Sequence, residues 1–144
     1  MKKAGLLLLC IFTGSIVYAQ NLTTSQLIDR CMNLLGKPVT SDFRRLDRTT
    51  YENAKGILAL VENGLVSSTM IGRASDTTRE AASFTVPFYN FFEDNNFDYC
   101  GEGSSGTDIY LKNGIYIAIK KSEKREDGKI ISGVWFSKNK EDFD

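Results

Sequence analysis

The chain has 144 residues, 42% of them hydrophobic, with 18 basic and 18 acidic side chains and no histidine. This balance excludes a general nucleic-acid binder, which needs a dense positive field. The missing histidine excludes Ser-His-Asp and Cys-His nucleophile activation, histidine zinc sites and histidine general-base catalysis together.

Residues 1–19 read as a signal peptide. Lys2 and Lys3 give a positive start, and Leu6 to Val17 is a mostly apolar run. Val17-Tyr18-Ala19 then fits the small-x-small rule, with cleavage after Ala19. The run is too short for a transmembrane helix, and no later stretch is apolar enough to span a bilayer. Leu9 precedes Cys10 where a lipobox needs a small residue, so ordinary export to the periplasm or the medium is expected. The rest, 20–144, has the length of one globular domain. Without Lys2 and Lys3 its net charge is near −2, which gives no reason to expect an anionic membrane surface.

Cleavage leaves Cys31 and Cys100 of the three cysteines. An exported chain meets oxidising conditions, so a Cys31–Cys100 disulfide is the expectation. Closing so long a loop would stabilise the fold by roughly 4 kcal/mol in the chain-entropy picture. Two thiolates without further ligands do not make a zinc site.

Asn21-Leu22-Thr23 satisfies the N-glycosylation pattern and reads as the start of the mature chain. Thr24 to Leu35 predicts a helix. Leu27, Ile28, Cys31, Leu34 and Leu35 form one apolar stripe, Thr24 or Ser25 suits the start, and Gly36 and Pro38 stop it. From Lys37 to Asn53 the chain is polar, anchored by Phe43, Leu46 and Tyr51. A short helix near Asp42 to Asp47 fits this segment, with Arg44, Arg45 and Arg48 on a solvated face. Gly56 to Arg73 predicts a hairpin about Asn63-Gly64, in which Val61 faces Val66 and Leu58 faces Thr69.

Asp76 to Asp94 predicts the second helix. Thr77 and Glu80 have capping-box spacing, and Phe84, Phe88, Tyr89, Phe91 and Phe92 form an aromatic core stripe. Pro87 predicts a kink or two shorter helices. A short strand follows over Phe97 to Cys100. Asp94, Asn96 and Asp98 imitate the start of a calcium loop, but Tyr99 stands where glycine is needed and Ser105 where glutamate is needed. Gly101-Glu102-Gly103-Ser104-Ser105-Gly106 matches G-x-G-x-x-G, yet a strand follows where a phosphate site needs a helix, so it reads as a loop. No metal or cofactor is expected.

Three strands close the chain: Thr107 to Lys112, Ile115 to Ser122 and Lys129 to Ser137, joined at Asn113-Gly114 and Asp127-Gly128. A two-residue turn at Asp127-Gly128 would pair Ile119 with Phe136 and Lys121 with Val134. Tyr116, Ala118, Lys120, Ile131 and Trp135 then share the opposite face. If the helices cover one face, Tyr116, Ile131 and Trp135 make an aromatic patch on the other, suited to a protein partner.

The fold expected is α+β: one antiparallel sheet of five to six strands, in the order α-ββ-α-β-βββ, packed against two helices and tied by one disulfide. The function expected is a small exported non-enzymatic binding module. The alternatives are a cell-envelope hydrolase using paired carboxylates, which the chemistry left without histidine allows, and a structural envelope component.

Overall fold

The structure, a computed structural model, describes residues 22–103 and 106–143. The expected signal segment and cleavage site, Cys10 and Asn21 lie outside the described residues.

Helix α1 spans Thr24–Leu34. Thr23 caps it: its hydroxyl accepts from the Gln26 amide at 3.1 Å, while the Gln26 side chain accepts from the Thr23 amide at 2.9 Å. Leu27, Ile28, Cys31 and Leu34 are its buried face. Gly36, at φ 78°, supplies the left-handed residue that ends it.

The sheet has eight antiparallel strands: β1 (Phe43–Arg45), β2 (Thr50–Asn53), β3 (Ile57–Glu62), β4 (Leu65–Ser75), β5 (Asp98–Glu102), β6 (Asp108–Lys112), β7 (Ile115–Lys124) and β8 (Ile130–Ser137). Their order is β1-β2-β3-β4-β8-β7-β6-β5. Two four-strand meanders therefore join along β4 and β8. Helix α2 (Thr78–Asp94) carries the chain from the centre of the sheet to its far edge.

The expected count of five to six strands is thus corrected to eight. The additional pair, β1 and β2, comes from the polar segment read as a short helix. Asp47 explains the hairpin: its carboxylate accepts from the amides of Thr49 and Thr50, both at 2.9 Å, and so closes the turn. Arg44 then pairs with Glu52 across the strands.

The expected disulfide is also corrected. Cys31 and Cys100 are both free. Cys31 lies on the buried, sheet-facing side of α1, where the Thr69 hydroxyl of β4 donates to its carbonyl at 2.9 Å. Cys100 is the extra residue of a bulge in β5, exposed at the sheet edge. Four strand spacings separate β4 from β5, about 19 Å, whereas a bridge needs Cα atoms within about 7 Å. Burial pushes the Cys31 thiol up to about 12, so it stays protonated and inert near neutral pH.

Asn63-Gly64 and Asn113-Gly114 form the tight turns the sequence predicts, with φ of 52° and 77° in the first and 52° and 76° in the second. Val61 faces Val66, but a bulge at Ser67 of β4 moves Leu58 opposite Met70 and not Thr69. In the last hairpin Ile119 pairs with Val134 and Ile117 with Phe136. Two one-residue offsets cause the difference. The connection between Lys124 and Ile130 is longer than a two-residue turn, and a bulge interrupts β7 between Lys120 and Glu123. Because two offsets restore parity, Tyr116, Ala118, Ile131 and Trp135 still share a face.

Both helices cover one face of the sheet. Ile57, Ile71, Ile117, Ile119, Val134 and Phe136 meet Ile28, Cys31, Phe88 and Phe92 there. Thr77 caps α2 by accepting from the Glu80 amide at 3.2 Å, and the helix runs as one element through Pro87. Pro87 sits on its exposed side, while Ala81, Thr85, Phe88 and Phe92 hold the buried side to the sheet. The opposite sheet face carries a second apolar cluster: Leu58, Met70, Ile109, Ala118, Ile131 and Trp135, with Phe143 of the C-terminal turn (Lys140–Phe143).

Candidate functional site

Tyr116, Ile131 and Trp135 do come together on the face away from the helices, but inside the second cluster. Ile131 is 0% and Trp135 5% exposed, and Tyr116 is half-buried. The Phe143 ring stands edge-on to the indole at 5.4 Å. In this conformation Trp135 offers no open contact surface. The sequence conceals the reason, because Lys140-Glu141-Asp142-Phe143 reads as a polar tail.

The open feature is a groove of about 370 Å³ along the flank of α2. Its helix wall is built from positions three and four apart: Thr78, Ala82, Thr85, Val86, Tyr89, Asn90 and Glu93. The other wall is Lys121 and Ser122, the residues of the β7 bulge. A bulge bends its strand and re-aims the side chains around it. Here it brings the end of β7 beside α2. Val86, 49% exposed, supplies apolar surface to the groove.

Lys121 is fixed at the groove wall by two contacts. Its ammonium lies 5.5 Å from the centre of the Tyr89 ring and 3.4 Å from the Asp108 carboxylate. Tyr89 is itself oriented by donating to Asp108, and Tyr99 donates to the other oxygen of the same carboxylate at 3.1 Å. Tyr110 packs against both tyrosines, at 6.2 and 5.4 Å. Burial works to raise the Asp108 carboxyl, but the two hydroxyl bonds and the Lys121 charge outweigh it and hold it below the usual carboxylate range. Burial raises Tyr89, reinforced by its bond to Asp108, so it remains a neutral donor at neutral pH.

The arrangement sets an anchored ammonium beside an exposed apolar side chain. Asp108 is saturated by its donors, and Glu93 is the one carboxylate lining the groove among the described residues. Lys121 keeps 64% of its side chain exposed, so its ammonium can accept a second anionic partner. No local sequence pattern announces this grouping. Tyr89 comes from α2, Tyr99 from β5, Asp108 and Tyr110 from β6 and Lys121 from β7, and only the fold assembles them.

A second depression, about 470 Å³, lies between α1 and the β1–β2 hairpin. Two of its charged groups satisfy each other, with Arg30 bonding both Asp42 oxygens at 3.2 and 3.1 Å, and Asn53 accepts from the Lys55 and Ile57 amides. It offers less to a ligand than the α2 groove. Among the described residues no three His, Cys, Asp or Glu side chains converge as a metal-binding set. No described helix is long and apolar enough to cross a membrane. Comparison of the chain with protein-family models, curated proteins and solved structures finds no match.

Proposed function

We propose that the chain is an exported, non-enzymatic binding module that holds an extended peptide segment of a partner protein in the groove between α2 and the bulged end of β7. The export reading rests on the pattern of residues 1–19, and residues 20–144 form the working domain. The observation that carries the binding reading is Lys121, fixed by Asp108 and Tyr89 beside an open groove with exposed Val86. A peptide would place an apolar side chain against Ala82 and Val86 and an acidic one on Lys121. Its basic neighbours would meet Glu93. A catalytic reading would need two carboxylates facing across the groove, and Glu93 stands there with Asp108 already engaged.

The test is a random peptide library displayed on phage, panned in parallel on the wild-type protein and on V86R. Val86 is half exposed, so V86R should leave the far-UV spectrum and the melting temperature nearly unchanged. Peptides enriched on the wild type should bind V86R at least about ten-fold more weakly, the scale of losing an interface anchor. Failure to enrich any peptide, or equal binding to V86R, would refute the reading.

A further inference from the structure

We propose that the partner's segment enters the α2 groove as an added β-strand, antiparallel to β7 and hydrogen-bonded to its open side beyond the bulge, and that this segment is acidic on the side facing α2. The inference rests on the peptide reading and specifies how the peptide is held.

The pairing of the sheet leaves that side of β7 open. β6 begins at Asp108, opposite Ile119, whereas β7 continues to Lys124 with β8 as its only partner there among the described strands. Where β6 would run on, the chain turns aside. The Gly103 amide donates to the Thr107 carbonyl at 2.7 Å and draws the β5–β6 connection together. A Cβ on Gly103 would fall 2.6 Å from Ile109 Cδ1 and 3.2 Å from the Phe143 carbonyl oxygen. Both belong to the Trp135 face, so Gly103 packs away from α2.

The turns fix which backbone groups point outward. Lys112 and Ile115 flank a two-residue turn and therefore exchange hydrogen bonds. Alternation then aims the backbone groups of Ile117, Ile119 and Lys121 toward β6 and its line of continuation. At the far end the Arg125 amide donates to the Lys129 carbonyl at 2.8 Å, so the groups of Lys124, one residue earlier, point away from β8. Lys121 and Lys124 thus each offer an amide and a carbonyl on the same side. The bulge sets Lys121 and Ser122 together across from Ser132, while Lys124 stands across from Ile130. Measured along β8, the two lysines are two residues apart, about 7 Å, the repeat of hydrogen-bonded pairs along a strand.

The groove lies over this end of β7, with Lys121 and Ser122 in one wall and Ala82 and Val86 in the other. A strand placed there turns every second side chain toward α2. Charge selects which strand fits. Lys121 keeps 64% of its side chain exposed, and Lys124 is exposed with no ion pair among the described residues. Both lie on the α2 face, since Lys124 opposes Ile130 and the neighbouring Ile131 faces Trp135. A second copy of this edge would set lysines against lysines, so self-pairing is disfavoured. A strand with acidic side chains beside Lys121 and Lys124 meets opposite charge at both.

The probe is the tightest V86R-sensitive peptide from the panning above, made synthetically and titrated into the wild-type protein. Methylating its amide nitrogens one at a time should weaken binding about ten-fold at positions of one parity that lie along β7, and less than about two-fold at the positions between them. In amide exchange followed by NMR, saturation with the same peptide should slow Lys121 and Lys124 at least about ten-fold. K124E changes an exposed side chain; it should leave the melting temperature unchanged and weaken the peptide about five-fold. A V86R-sensitive peptide that is indifferent to methylation at every position, or that binds K124E as tightly as the wild type, would overturn the inference and leave the groove standing. Failure to select any such peptide would remove the groove and this inference together.

Discussion

Replacing Phe92 with alanine should destabilise the protein by about 4 kcal/mol, the range for emptying a buried aromatic site. Phe92 is 0% exposed and sits where α2 meets the sheet. Its ring contacts Phe97 at 4.7 Å, Tyr110 at 5.2 Å and Phe91 at 6.2 Å. Alanine would remove the ring that joins helix, turn and β6. Leucine at the same position keeps most of the volume and should cost less than about 1.5 kcal/mol. Alanine at Val86, on the exposed flank of the same helix, should stay within about 0.5 kcal/mol. Urea unfolding followed by circular dichroism measures all three. If F92A and V86A lost equal stability, α2 would not pack in the stated orientation.

The second large effect concerns Lys120 and Glu123. In a regular strand, residues three apart point to opposite faces. The β7 bulge adds one residue between them and returns both to the Trp135 face, where they form an ion pair. The Lys120 side chain is 9% exposed and that of Glu123 33%. Removing the acid leaves a nearly buried ammonium without a partner, so E123A should cost about 3 kcal/mol, at the lower edge for a broken buried pair because Glu123 is partly solvated. The double substitution K120M/E123L replaces both charges with apolar groups and should recover most of that loss, since buried pairs and well-packed apolar residues are often close in free energy. Thermal or urea unfolding of the two variants reads the difference. A destabilisation of K120M/E123L equal to that of E123A would show that the lost contact is packing and not charge.

The same bulge shows what the sequence can and cannot convey. Asn63-Gly64 and Asn113-Gly114 were legible because two consecutive residues at positive φ demand those side chains. Helix α1 was legible from its stripe, although the cap is Thr23 and not Thr24 or Ser25. Bulges carry no such signature. One extra residue in β4 and another in β7 shift the pairing while leaving the apolar alternation plausible. The faces of the meander nevertheless came out correctly, because its two offsets cancel in a period of two. The β1–β2 hairpin was missed for want of apolar residues, though Asp47 two and three residues before Thr49 and Thr50 was the available turn signal.

The errors about sites have a different origin. The disulfide expectation follows from the compartment, while bridging depends on distance, and α1 and the β5 bulge sit far apart across the sheet. Trp135 was placed on the correct face, but what meets that face is Phe143, from a segment that looks like a charged tail. The α2 groove depends on Lys121 reaching Asp108 and Tyr89, three residues on three elements, and no local pattern announces it.

The sheet is buried on both faces, and the open groove lies at the flank of α2 and not at Trp135. Acrylamide quenching of the single tryptophan tests that arrangement most directly. In the native wild type, Trp135 should be quenched far less than in the same protein unfolded in urea, and F143A should raise the native value while circular dichroism stays unchanged. Equal quenching of native and unfolded wild type would contradict it, because an indole that is 5% exposed cannot meet the quencher freely.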